Sequence, residues 1–522
     1  MAPKKTFPKQ LWWLLIISFV IRAFLAAWIE LGNDEVYYWT YALYPDWSHF
    51  DHPPMVGWMI QLFSLNLLFD SELFLRLSSV VLMTINTFLI YLIGTKLRDS
   101  RTGFYASLLY TASIYAFVIT GIFILPDTPQ NFFWLLSLWF FIQAFTSDHE
   151  RKQHQFMLLA GIFTGLAMLS KYTSVFLWFG VVLYILIDKQ KWLKKWSLYV
   201  AILFSILLLA PVLFWNLQND FVSFSFQSER VGFLDSSLRP DLFFTELAGQ
   251  FIYNNPVNVV LIILSLVAMY KAKKTFHFGE SKLLICIAFP LIGIFLFFAL
   301  FRATLPHWTS PAYNTLIFFA AARLAEKQQY PGYKIPKSIQ TALVLLIVVL
   351  LLGSLQIKFA LIPIADKQAY HQLGKNDVTL DMFGWRGMDK QFKSVVNKHI
   401  KSGEMSSNDG IISNNWFPMS HIDYYIARPL QMTVLGLGKP ENLHKYMWIN
   451  QKRGGFQIGK DYWYITNSRD YTAPQDLYDE YFRQIIPSDT LTVMRNGIPA
   501  KRYFVFLLKD LKKLPKDYLN QH

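Results

Sequence analysis

Cysteine is almost absent: Cys286 is the single one in 522 residues. That excludes a disulfide framework and a cysteine metal site, and because Cys286 lies in an apolar block it says nothing of redox compartment. Charge is scarce as well. Only 16% of residues are Asp, Glu, Lys or Arg, against about 25% in an ordinary soluble domain. Acids are the scarcer sign, 35 against 49 bases, for a net charge of +14. The bases do not gather on one face; they sit in short clusters between apolar blocks, so nucleic acid is not an expected partner. Internal repeats and low-complexity runs are lacking too.

What fills the chain instead is apolar: 53% hydrophobic and 17% aromatic, with a mean hydropathy of +0.28. A soluble core cannot hide that much apolar surface. The apolar residues form blocks of the length that crosses a hydrocarbon layer. They predict about eleven membrane spans, near residues 11–29, 73–95, 103–124, 131–146, 156–170, 172–187, 197–215, 251–270, 282–300, 309–325 and 337–357. The stretch 156–187 reads either as one bent span or as two short ones broken near Ser170-Lys171. Basic clusters at Lys96/Arg98/Arg101, Arg151/Lys152, Lys189/Lys191/Lys194/Lys195, Lys271/Lys273/Lys274 and Lys327/Lys334/Lys337 favour the broken form. With it, all five clusters fall on one side, which the positive-inside rule makes cytoplasmic.

The expected topology is a multi-pass protein of the cytoplasmic membrane with its N-terminus inside. Residues 11–29, preceded by Lys4, Lys5 and Lys9, read as a retained helix because no small-residue cleavage site follows. Residues 1–357 form the expected membrane domain. Residues 358–522, mixed and polar, form an expected extracytoplasmic α/β domain, with strands at 462–466 and 503–508 and a helix at 390–400. Two outer loops, 30–72 and 216–250, are long, and 54–69 reads as a helix lying in the interface.

The first of these loops carries acids. Gly32-Asn33-Asp34-Glu35 is followed by Val36-Tyr37-Tyr38-Trp39. Carboxylates at a water–lipid boundary are either solvated beside an aromatic belt or put to use. In use, Asp34 is a general base toward an acceptor hydroxyl, with Glu35 orienting it. His49-Phe50-Asp51-His52-Pro53-Pro54 comes next. Histidines beside an aspartate suit a metal or a phosphate, whereas a proline-fixed turn accounts for the prolines only.

Asp34-Glu35 with Tyr38, the step Asp51-His52-Pro53-Pro54, and Arg76-Leu77 together resemble the membrane glycosyltransferases that use polyprenyl-phosphate sugars. These are the GT-C fold proteins that include the protein O-mannosyltransferases and the lipid A aminoarabinose transferase. The pattern continues with Leu125-Pro126-Asp127-Thr128-Pro129, with residues 165–172, and with Leu305-Pro306-His307-Trp308. The resemblance covers about residues 10–325 and says little of the C-terminal domain. It implies that Asp34 is the catalytic acidic residue of the first loop, Lys171 approaches the donor phosphate, and Asp51 and Asp127 lie near a divalent metal. His52 stands where the relative has a phosphate-binding lysine. Gln227-Ser228-Glu229-Arg230 resembles a His-x-x-Arg step that keeps Arg230 for phosphate and has lost the histidine at Gln227. Tyr38, His49, His307 and Trp308 fall in the expected substrate pocket.

Several of these residues have plainer readings. Lys171 at an apolar break is a functional candidate or a snorkelling anchor. Arg302, His307 and Trp308 also suit an interfacial belt, and Asp127 also suits a helix N-cap. The expected activity is transfer of a sugar from a polyprenyl-phosphate donor to a lipid A, glycan or protein acceptor at the outer face of the membrane. A lipid or sugar transporter, such as a flippase, is the alternative, and a membrane scaffold is a third.

Overall fold

The computed structural model describes residues 7–231, 237–271, 280–327, 332–362, 364, 370–516 and 519. The chain divides into two compact units, one of residues 1–27 and 45–349, the other of residues 28–44 and 350–522.

The first unit is helical. Each apolar block expected to cross the membrane there is occupied by helix, but the blocks differ in kind. By length and hydropathy, Lys9–Trp28, Leu77–Leu97, Trp196–Gln218, Ser281–Ala299 and Lys337–Phe359 are each large enough to span a membrane. Pro240–Tyr253 and Pro256–Lys271 join them as a pair bent by 99°. Five or six spans therefore meet that test among the described residues, and the number eleven stays an expectation. The physical reason lies in burial. Helices such as Ser100–Ala112, Asp127–Thr146 and Ser310–Glu326 are lined with buried residues and carry polar groups that pair with one another, which lowers their hydropathy. Asn131 donates to the Tyr110 hydroxyl at 3.0 Å, Asn314 donates to Asn131 at 3.1 Å, and the Trp134 indole donates to Thr315 at 3.0 Å. Such interhelical bonds contribute on the order of 0.6 kcal/mol each in a bundle.

Small residues let the backbones approach. A methyl group on Gly103 would lie 2.4 Å from the Tyr91 carbonyl oxygen, and one on Gly180 would lie 2.4 Å from the Ile287 Cα. The break at Ser170-Lys171 is real: helix Glu150–Ser170 stops, Lys171 is extended at φ −158°, and a 3-10 turn, Tyr172–Ser174, leads into Val175–Asp188. The interface stretch of the first loop is helical over Met55–Phe63.

The second unit is α/β, as the composition change predicts. Strands β1 (Gly410–Ser413), β2 (Val434–Gly436), β3 (Tyr462–Asn467), β4 (Phe482–Arg495) and β5 (Ile498–Leu511) form one sheet in the order β2-β1-β3-β5-β4. The β1 strand runs parallel to β2 and β3, while β5 is antiparallel to β3 and β4. Strands β4 and β5 are joined by Asn496-Gly497, both at positive φ, the two-residue connection that matches strand twist. The expected helix near 390–400 spans Met388–Lys401. Apolar side chains of β1, β3 and β5, among them Ile412, Tyr464 and Phe506, form the core of this unit.

Residues 28–44 belong to this unit. Trp385 donates its backbone N–H to Glu30 at 2.7 Å, and the Leu31 N–H donates to the Tyr425 hydroxyl at 2.8 Å. Burial holds the His421 imidazole down at about 3, so it is neutral, and its Nε2 donates to the Leu31 carbonyl at 3.1 Å.

Candidate active site

In the first unit, a buried ion pair adjoins a cavity. Lys171 is 5% exposed and Asp127 3%. The Lys171 ammonium donates to both Asp127 oxygens, at 2.9 and 2.8 Å. Extended backbone at the helix break lets Lys171 leave the helical path, and Asp127 opens the helix Asp127–Thr146. Pro126 holds the N-cap position and Asp127 is the first helical residue, which removes the N-cap reading: its oxygens serve Lys171. The Tyr115 hydroxyl, from the π-helical turn Tyr115–Ile119, is a further, long contact at 3.4 Å.

The cavity beside Lys171 has a volume of about 60 Å³ and is lined also by His52, Tyr172, Thr173, Gln227, Phe295 and Trp308. The Lys171 Nζ stands 5.5 Å from the Trp308 ring centroid, and Phe295 meets that ring at 5.5 Å. Gln227 donates to the Asp51 carbonyl, and Tyr172 shares a 3.3 Å hydrogen bond with Ser223. His307, in the turn Pro306–Thr309, lies against Tyr253 at 5.7 Å. His49 is 2% exposed and Asp51 7%; the His49 N–H donates to the His52 carbonyl at 3.2 Å.

Sequence reading thus named four residues that line one cavity, His52, Lys171, Gln227 and Trp308, and a fifth, Asp127, joined to it through Lys171. Arg230 lies in the helix Val222–Val231, with its side chain outside the described residues. Arg302 is exposed and donates to the Glu229 carbonyl. Tyr172, Thr173 and Phe295 complete the wall. Tyr172 was legible as a hydroxyl beside Lys171; Phe295 sits in an apolar block with nothing to distinguish it.

The acids do not assemble a metal site. Both Asp127 oxygens are taken by Lys171, and among the described residues no group of three or more His, Cys, Asp or Glu could hold an ion. In this arrangement the Asp127 carboxylate is thus engaged by Lys171 and not available to a divalent metal.

In the second unit, Asp34 and Glu35 open the helix Asn33–Leu43. They differ in role. The Glu35 carboxylate accepts from the Gly32 N–H at 2.8 Å, a back-bond of the capping-box kind, and Glu35 is 3% exposed. Asp34 is exposed on the first turn. Tyr38 is buried in a ring cluster, 5.3 Å from Tyr41 and 5.7 Å from Tyr37, and Tyr37 packs 5.1 Å from Trp416. Asp34 therefore rides on a helix whose start and aromatic face are both fixed.

Residues 51–215 match the family model of dolichyl-phosphate-mannose-protein mannosyltransferase. The lipid A galacturonosyltransferase RgtD of Rhizobium johnstonii is 23% identical over 314 residues, 58% of this chain and 61% of that protein. An uncharacterized protein of Aquifex aeolicus is 26% identical over 277 residues, 52% of each chain. The chain thus spans between half and two thirds of the length of these curated relatives. The crystal structure of ArnT from Cupriavidus metallidurans bound to undecaprenyl phosphate shares the fold, with a TM-score of 0.64 at 13% identity over 95% of this chain and 98% of that one. The chain thus shares its fold with ArnT over nearly its whole length, and its segment 51–215 is similar to the dolichyl-phosphate-mannose-protein mannosyltransferases.

Proposed function

We propose that this protein transfers a sugar from a polyprenyl-phosphate donor to an acceptor on the outer face of the cytoplasmic membrane. The observation that carries the reading is a buried lysine, Lys171, bordering a cavity with aromatic walls in a fold of this family. When the sugar leaves its carrier, the bond from C1 to the phosphate oxygen breaks and negative charge builds on that phosphate. A cation fixed in a water-poor site stabilises such charge far better than one in water. Lys171 is that cation, with His52 and Arg230 as further phosphate partners.

Asp34 is the base that takes the proton of an acceptor hydroxyl as its oxygen bonds to C1, with inversion as the family resemblance implies. If the acceptor is a lipid A phosphate, its oxygen is already nucleophilic and Asp34 orients it. The galacturonosyltransferase relative favours lipid A over a glycan or protein as acceptor. Residues 1–357 are the transferase domain, and residues 358–522 lie outside the cell membrane with the N-terminus in the cytoplasm. His49, His307 and Trp308 in the first unit, and Tyr38 in the second, are further substrate-binding residues. A transporter built on inverted repeats would show paired broken helices; one bent pair occurs among the described residues.

The test is purified protein in nanodiscs with a panel of polyprenyl-phosphate sugars, together with mass spectrometry of lipid A, surface glycans and glycoproteins from cells with and without the gene. Sugar transfer that disappears in Lys171→Met supports the reading. Unchanged envelope glycans and no transfer from any donor would end it.

A further inference from the structure

Lys171 already has a partner before any phosphate arrives. Both Asp127 oxygens hold its ammonium, at 2.9 and 2.8 Å, and the pair is sealed from solvent at 5% and 3% exposure. Lys171 lines the cavity and Asp127 does not. A phosphate entering the cavity therefore meets the ammonium from one side while the carboxylate holds it from the other.

We propose that Asp127 is a built-in competitor for the carrier phosphate, a positioning residue that limits how tightly Lys171 holds the lipid and so lets the spent carrier leave. The inference rests on the reading of Lys171 as the phosphate cation. An ammonium has three protons. Two go to Asp127 in this structure, and the lysine also lines the cavity. As phosphate binds, Lys171 shares or exchanges its bonds; as phosphate departs, the carboxylate reclaims them. A lone buried ammonium would bind the leaving group hard and hold it, because opposite charges attract strongly where water is excluded. A carboxylate 2.8 Å away offsets that attraction and keeps the lysine charge from standing alone in the bundle. The same contact aims the ammonium, through a side chain that sits 5.5 Å from Trp308. This assigns Asp127 a part in release, in place of the metal-ligand part its position in the sequence suggested.

The experiment measures undecaprenyl phosphate binding, by titration in nanodiscs, and steady-state transfer for the wild type, Asp127→Asn, Lys171→Met and the double variant. Asp127→Asn is expected to bind the carrier roughly tenfold tighter or more, since it loses a like charge beside the phosphate, with kcat and donor KM both reduced. Lys171→Met loses most of the binding, and the double variant, which also lacks the carboxylate, binds better than Lys171→Met but more weakly than Asp127→Asn. If Asp127→Asn folds poorly, undecaprenyl phosphate should raise its Tm by more than it raises that of the wild type, and the charge-neutral double variant should recover the fold. Asp127→Asn that binds the carrier as the wild type does, or more weakly, overturns the competitor role while leaving the transferase reading intact. A wild type that does not bind the carrier overturns that reading, and the inference with it.

Discussion

The guanidinium of Arg22 lies 4.4 Å from the centroid of the Phe117 ring, fully buried in the helix Lys9–Trp28. None of its three nitrogens has a hydrogen-bond partner among the described residues. An arginine face on an aromatic ring recovers part of the cost of burial, about 2 kcal/mol when desolvated. It does not recover the donors. Gly121 leaves room for it: a methyl group there would lie 2.8 Å from the Arg22 Nε.

Arg22→Met should therefore stabilise the protein. Methionine keeps most of the apolar stem and removes an uncompensated charge, the kind of exchange that is neutral or favourable by about 1–4 kcal/mol. Thermal melts in one detergent compare the two proteins. A lower melting temperature for Arg22→Met would mean that the guanidinium has an acceptor inside the bundle.

Asp34→Asn should cut transfer without unfolding the protein. Asp34 is exposed on the first turn of its helix, so the change in stability should stay within about 0.5 kcal/mol. Loss of a general base lowers kcat by roughly 10²–10⁴-fold. A loss of much less than tenfold toward a hydroxyl acceptor removes Asp34 from the chemistry. Toward a phosphate acceptor the loss should be smaller and fall mainly on acceptor KM.

Gly180→Val tests the close packing of the bundle. The helix Val175–Asp188 meets Ser281–Ala299 where a Cβ on Gly180 would sit 2.4 Å from the Ile287 Cα and 2.6 Å from the Cys286 carbonyl oxygen. Backbone atoms cannot swing aside as a flexible side chain can. Overpacking of this sort costs typically 1–3 kcal/mol or more, so the melting temperature should fall, whereas a change at Gly293, with open space around it, should leave it nearly unchanged.

Much of this was legible in the sequence, for identifiable reasons. Blocks of apolar residues at the length of a span cannot be anything but buried or lipid-facing helix, and each is helical here. Their number was harder. Asn131, Tyr110 and Asn314 satisfy one another between helices, and that pairing is invisible until the helices are side by side. Lys171 announced itself as a charge at an apolar break. That Asp127 was its partner could not be read, because 44 residues separate them and an acid before Thr-Pro is equally suited to a helix start. Glu35 three residues after Gly32 carried the signature of a back-bonded helix start, which accounts for its burial. Two signals went unused. Arg22 is an ionisable residue inside the first apolar block, a functional or strained position by default, and Asn496-Gly497 between two alternating runs is a strong hairpin signal. Phe295 offered none.

Lys501 in the second unit makes the pH dependence of stability specific. Its Nζ donates to the Leu380 carbonyl at 3.1 Å and stands 4.1 Å from the Trp385 ring centroid, at 2% exposure. Burial pulls its pKa down from 10.5 to about 7, against the opposing pull of Glu30. Below pH 7 the ammonium is charged both folded and unfolded, and the folded state carries the full cost of burying it. Between pH 7 and 10.5 the folded lysine sheds its proton while the unfolded one keeps it, so the unfolded state binds more protons and stability rises with pH, at up to about 1.4 kcal/mol per pH unit. Lys501→Met removes that cost. The variant should melt above the wild type at pH 6, and the gap should narrow steadily as the pH is raised toward 10. Melts across that range at fixed salt are the check. A gap that stays constant with pH would show that Lys501 keeps its proton in the folded state and that the ring of Trp385 and the Leu380 carbonyl suffice to hold the charge.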